Sequence, residues 1–387
     1  MKEYKHFKKD KSYWRALALM IGYIVGVGMF GLPFITSRSG VFLFVFYLLF
    51  LGFIQYFVNL VYANMIIITE DYHRLPGYVN LYLGKAGKHL VFITKIFGYY
   101  GSLLAYIIIS GSFLYQLLGD FLGGSPFIYA SFVFLIESLI VFIGIKLISR
   151  VELYISALLF LVVFIIFFKS VSISSFSNFS FLNWKYFFLP YGVMLGALDG
   201  SSILPVVAKI VRRHPQKFKS VIRNSMIISM LITAIFVLSI VGISGKMTSE
   251  DALSGLKLSL NNRILRFALV FGFLSIMTSV LGAIESLRET FSWDYKVNKN
   301  IALLLTVIIP YLLYCFGFND LISVIGLTGA LAGGFSTIML IFAFIKMRNK
   351  KHDLSLFKYA VSDKFFYLII LLFLSGIGYT LFSFLNN

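Results

Sequence analysis

The chain has 387 residues, of which 59% are hydrophobic, 18% aromatic and 13% charged. Soluble globular chains carry about 45–50% apolar and about 25% charged residues, so a cytosolic enzyme, a secreted domain and a disordered protein are excluded. The net charge of +18 is no nucleic-acid footprint, because the basic residues fall in short breaks between long apolar runs.

A helix crossing a bilayer needs about 20 mostly apolar residues. On that basis the sequence predicts eleven spans, over 14–34, 41–69, 90–118, 127–145, 153–168, 186–210, 221–243, 264–287, 301–318, 321–345 and 365–384. The runs are continuous and do not alternate with period two, which excludes a spanning β-barrel. The N-terminal basic run looks like a secretory leader. However, no small-residue cleavage site follows and the apolar stretch passes Pro33, so the segment is expected to be retained. With the N-terminus inside, 26 Lys and Arg fall on the cytoplasmic side and 7 outside, and Lys95 near the start of the third span completes the 34. This bias predicts a cytoplasmic N-terminus and an external C-terminus.

The first span reads Gly22-Tyr23-Ile24-Val25-Gly26-Val27-Gly28-Met29-Phe30-Gly31-Leu32-Pro33. Each Gly costs about 1 kcal/mol relative to Ala in a helix interior, and Pro about 3. Freed peptide groups cannot face lipid and must line protein or a wet cavity. The spacing predicts a helix broken near Gly26–Gly28, whose new N-terminus offers N–H groups to an anion such as a substrate carboxylate. Close helix packing through small residues is the competing reading.

In the third span Tyr99, Ser102 and Tyr106 share one helical face, a stripe that serves packing as readily as a wall. Glu137 in the fourth span reads as a protonated structural acid. In the second span Gln55, Tyr56 and Asn59 read as partners for neighbouring helices. The sixth span contains Leu195-Gly196-Ala197-Leu198-Asp199-Gly200-Ser201-Ser202 between Pro190 and Pro205. An Asp at a span's centre costs about 2.5–3.5 kcal/mol, so a second break is predicted there, against a hydrogen-bonded structural acid as the alternative. Breaks in the first and sixth spans are what two inverted five-helix halves require. In the eighth span Thr278 and Ser279 lie mid-membrane, where hydroxyls commonly bond back to their own helix. At its cytoplasmic end Glu285, Arg288 and Glu289 are spaced to pair with one another, or to gate against the basic 209–223 region. The single cysteine, Cys315, lies in an apolar run, and all five histidines fall in polar breaks, which argues against an intramembrane enzyme.

Gly26-Val-Gly-Met-Phe-Gly-Leu-Pro33, Asp199-Gly-Ser-Ser-Ile-Leu-Pro205 and Thr278-Ser-Val-Leu-Gly282 together resemble the amino acid/auxin permeases. The bacterial hydroxy- and aromatic amino acid permeases of the amino acid–polyamine–organocation superfamily share the first of these motifs. The resemblance implies an all-α polytopic membrane protein of eleven transmembrane helices with a leucine transporter-like 5+5 inverted repeat. Helices one and six would be discontinuous, the halves would cover about 13–169 and 184–346, and an extra helix about 365–385. It also implies a single transporter domain in the cytoplasmic membrane that moves neutral, and among them aromatic, amino acids by cation-coupled alternating access. No cofactor, nucleic acid or obligatory protein partner is implied beyond the bilayer and the amino acid.

By the same resemblance, the backbone of Gly26, Val27 and Gly28 would hold the substrate carboxylate, and carbonyls around Gly22–Val25 and in Leu195–Asp199 the ammonium, with Tyr106 in the wall. Gly28→Leu is then expected to abolish binding in a folded protein. Carbonyls of Gly22 and Val25 with the hydroxyls of Thr278 and Ser279 would form a sodium site, while Asp199 keeps proton coupling open. The sequence departs from the bacterial aromatic permeases in carrying a carboxylate at Asp199. A nucleobase or organic-cation carrier on the same fold, and a permease-like ligand-sensing receptor subunit, are the alternatives.

Overall fold

The computed structural model describes residues 10–26, 28–69, 73–143, 148–212, 214–257, 259–350, 356 and 362–385, with the backbone alone at 140–143, 148–157, 278, 293, 294 and 350. No strand occurs among them. The helices are α1 (Lys11–Ile24), α2 (Gly28–Ser39), α3 (Val41–Ile68), α4 (Leu75–Leu122), α5 (Pro126–Ile143), α6 (Ile148–Ile173) and α7 (Leu189–Ala197). They continue with α8 (Leu204–Ile210), α9 (Pro215–Ser244), α10 (Asn262–Glu289), α11 (Lys299–Cys315), α12 (Leu321–Thr328), α13 (Gly334–Lys350) and α14 (Asp363–Leu385). Seven of the described helical stretches are long and apolar enough to cross a membrane, and counting α1 with α2 as one bent span gives eight. Three shorter apolar helices (Pro126–Leu139, Leu158–Ile173 and Lys299–Cys315) lie where the fourth, fifth and ninth spans are predicted. The molecule is an all-helical, multi-pass membrane protein.

The first predicted break is present. Asp10 caps α1 by accepting from the Ser12 N–H at 2.8 Å. After Ile24 the helix stops, and α2 starts again at Gly28 with its axis turned by 49°. The sixth span breaks as well. α7 begins at Leu189 with Pro190 in its first turn and ends at Ala197, a 3₁₀ turn covers Ser201–Ile203, and α8 begins at Leu204 with Pro205 in its first turn. A proline costs nothing in the first turn, where its missing N–H would have no helical partner, so both half-helices start where the chain puts one.

The two broken helices are pressed together. A Cβ on Gly28 would lie 2.6 Å from Ala197 Cα, so α2 and α7 cross at backbone contact. On its other side α7 meets α12, where a Cβ on Gly192 would run into the Gly326 carbonyl and one on Gly329 into the Gly192 carbonyl. Small residues let these helices approach closely, as membrane packing requires in the absence of a hydrophobic drive between them. α4 and α10 pack against each other and enclose this centre together with α12, while α9 backs α1, α2, α3 and α6.

Several boundaries differ from expectation. The polar stretch 70–89 is helical from Leu75, and the chain enters the third span through a kink at Gly84, whose φ of 76° suits only glycine comfortably. The tenth span is continuous but not α-helical throughout. A π-helical turn, Gly329–Gly333, separates α12 from α13, since four closely spaced glycines cannot hold a regular ladder against the backbone of α7. The eighth span runs on to Glu289 and into a second π turn, Thr290–Asp294. The predicted end of the fourth span at residue 145 lies outside the described residues.

Candidate functional site

A cavity of about 140 Å³ lies between the breaks. At about 10–15 Å³ per water this is room for roughly ten waters, the scale of a small organic molecule. Gly26 and Gly28 border it from the first break, and Leu195, Gly196, Asp199 and Ser202 from the second. α4 supplies Lys95, Gly98, Tyr99, Ser102 and Tyr106, and α10 supplies Ser279, Gly282 and Ala283. Thr328, Gly329, Ala332 and Gly333, around the π turn, complete the wall together with Tyr23.

The cavity therefore gathers Gly26, Gly28, Tyr106, Leu195, Asp199 and Ser279 from the residues singled out in the sequence. Gly22 and Val25 do not line it; the Val25 N–H donates to the Ile21 carbonyl at 2.8 Å, ending α1. Ser279 Oγ donates to the Ser275 carbonyl at 3.1 Å, the self-helix bond that such hydroxyls commonly make. Val27 and the Thr278 side chain lie outside the described residues.

Two expectations need correction. The Gly26 N–H is not available to a carboxylate, since it donates to the Ile24 carbonyl at 2.9 Å, and the Met29 N–H is taken by the Gly26 carbonyl at 3.2 Å. The turn satisfies part of its own backbone, as a break at membrane depth must. Gly28→Leu cannot leave the fold intact, because its side chain would enter the α7 backbone before filling any pocket.

Asp199 Oδ1 accepts from the Ser201 N–H at 2.8 Å, bracing the turn that leads into α8. Lys95 Nζ donates to Ser201 Oγ at 3.3 Å. Sequence reading quoted Tyr23, Ser202 and Gly282 within motifs and Lys95 in the charge count, but assigned none of these side chains, nor the π turn, to the site. For Lys95 a signal was present: positions 95, 99, 102 and 106 follow the i, i+4, i+7, i+11 period of one helix face.

Phe30, two residues after Gly28, stacks edge-on with Phe113 of α4 at 5.4 Å and with Phe236 of α9 at 5.6 Å. All three rings are buried, and Gly272 gives Phe113 its room. Beyond them Ser112 Oγ donates to the Asp251 carboxylate at 2.6 Å and Gln116 Nε2 to Ser254 Oγ at 2.5 Å, which ties the 245–260 connection onto α4. Along α4 the cavity wall runs from Tyr106 to Lys95, roughly 16 Å at 1.5 Å per residue. A smaller cavity follows, shared by Lys95, Tyr99 and Ser202 and bounded by Arg74. Arg74 donates to the Ser202 carbonyl at 2.9 Å and pairs with Glu289. Arg288 pairs with Glu285, so this cluster is divided between a local pair and a contact across the bundle.

Glu137 is 3% exposed and does not line the cavity, and its Oε1 has no hydrogen-bond partner among the described residues. Buried Asn59 lies against the second break, with its Nδ2 3.3 Å from where a Cβ on Gly200 would stand.

A family model, the tryptophan/tyrosine permease family, matches residues 9–381 of the chain. No curated protein matches it.

Proposed function

The chain belongs to the tryptophan/tyrosine permease family and is thereby an amino acid transporter, and on that premise we propose how it works. It is a secondary active importer of neutral, aromatic amino acids, driven by symport of Na⁺ or H⁺ across the cytoplasmic membrane. The eight spans and three shorter apolar helices act as eleven transmembrane helices with the N-terminus cytoplasmic. Residues 13–169 and 184–346 form inverted halves, and α14 is the additional helix.

The observation that carries this reading is the meeting of the two breaks at one cavity, with Gly28 against Ala197 and with Gly26, Leu195 and Asp199 on the wall. A transporter needs polar peptide groups at mid-membrane that can be reached from either side in turn. The cavity wall extends past Tyr99 to Lys95 and on to the smaller cavity bounded by Arg74, which supports a path leading from the site toward one face. Tyr23, Tyr99 and Tyr106 give the cavity aromatic faces suited to an aromatic side chain.

For the ion, Ser279 and Thr278 with Gly22 and Val25 carbonyls remain the proposed sodium ligands, and Asp199 the proposed proton carrier. Uptake of labelled tryptophan and tyrosine into proteoliposomes under separate sodium and pH gradients tests the proposal. Accumulation driven by one gradient is expected, and Ser279→Ala abolishes the sodium response if sodium is the ion. If neither gradient drives accumulation of any amino acid, the importer reading is wrong.

A further inference from the structure

Lys95 and Asp199 meet at one residue without meeting each other. Ser201 receives the Lys95 ammonium on its hydroxyl at 3.3 Å and gives its N–H to the Asp199 carboxylate at 2.8 Å. No ion pair joins the two among the described residues, although both line the central cavity. Among the described residues they are the only ammonium and the only carboxylate on its wall. A lysine inside a membrane span is costly and is normally matched by an opposite charge. Here the protein keeps its own carboxylate beside the ammonium but out of contact. The N–H of Gly26, one of the expected carboxylate donors, is already engaged by the Ile24 carbonyl.

We propose that Lys95 is a substrate-binding residue. Its ammonium takes the carboxylate of the bound amino acid while the Asp199 carboxylate takes the amino group, so the zwitterion bridges two charges that do not pair with each other. This rests on the reading of the cavity as the amino acid site. Lys95 then confers selectivity for α-amino acids over the corresponding amines. A charge-assisted contact of this kind is stronger than one between neutral groups, and a ligand lacking its carboxylate leaves the lysine unmatched. Lys95 also borders the smaller cavity above Arg74, so the carboxylate stays in the company of a cation as it moves toward that end.

The test compares binding of L-tryptophan, tryptamine and indole-3-propionate to the purified full-length chain in lipid nanodiscs. The unmodified protein is expected to bind tryptophan at least tenfold more tightly than tryptamine. Lys95→Gln should weaken tryptophan by tenfold or more while tryptamine is unchanged or tightened, and Lys95→Arg should retain most of the preference. Asp199→Asn should weaken tryptophan and tryptamine together and spare indole-3-propionate. Equal weakening of tryptophan and tryptamine by Lys95→Gln, or unaltered tryptophan binding, overturns the assignment while leaving the transport reading in place. An unmodified chain that binds no amino acid overturns both. Should Lys95→Gln not fold, amine-directed labelling of Lys95 in the unmodified chain decides. Protection by tryptophan but not by tryptamine supports the proposal, and equal protection overturns it.

Discussion

The Glu289 carboxylate lies 2.5 Å from the Arg74 guanidinium, across 215 residues of sequence, and joins the end of α10 to the start of α4. The side chains are only 13% and 20% exposed, and the same guanidinium holds the Ser202 carbonyl of the second break. One cation thus fastens three elements beneath the cavity.

Glu289→Gln is expected to loosen this fastening without unfolding the chain. A hydrogen bond to a charged group contributes about 1.5–3 kcal/mol, so opening at this end should become roughly 10- to 100-fold more frequent. The rate of thiol labelling at a cysteine placed at Ser202 measures it. The exchange Arg74→Glu with Glu289→Arg should bring the rate back toward that of the native pair, and a rate unaffected by Glu289→Gln would exclude a gate here.

The two glycines of the first break should respond differently. Gly28→Ala places a methyl 2.6 Å from Ala197 Cα and should destabilise the protein by about 1–3 kcal/mol, seen as a lower melting temperature. A Cβ on Gly26 has ordinary clearance, 3.4 Å from the Tyr23 carbonyl, so Gly26→Ala should keep its melting temperature and alter uptake alone.

Gly282 is a glycine that packing does not demand, since a Cβ there meets nothing within 4 Å and would stand in the cavity. Alanine or leucine would favour the helix by close to 1 kcal/mol. Gly282→Leu should therefore leave stability unchanged or raised, while tryptophan uptake falls at least tenfold and small amino acids compete better than before.

Lys217 donates to the Asp10 carboxylate and holds it down to about 2, from an ordinary value of 3.8, with the Ser12 N–H assisting. A carboxyl whose folded value is depressed stabilises fully above its unfolded value and loses that contribution as pH falls through the folded one. The link between α1 and α9 should therefore weaken between pH 4 and 2. Asp10→Asn keeps the helix cap and should show a smaller fall in melting temperature over that interval than the native chain.

The membrane class, the order of apolar helices and the positions of both breaks were legible in the sequence, because each rests on local chemistry. Bilayer thickness fixes run length, and a glycine or proline disrupts a helix wherever it later packs. Gly26–Gly28 and the Leu195–Ser202 stretch could thus be read as sites of a break before any neighbour was known. What those residues face is a matter of tertiary contact. Only the structure shows that Gly28 serves the α2–α7 crossing, that Gly26 spends its N–H within its own turn, and that Arg74 is the partner of Glu289. The same holds for Lys95, which sequence counts as one more charge near a helix start. Its place beside Ser201 and Asp199 arises from how α4 lies along the second break, and that register is set by side-chain packing among helices far apart in the chain.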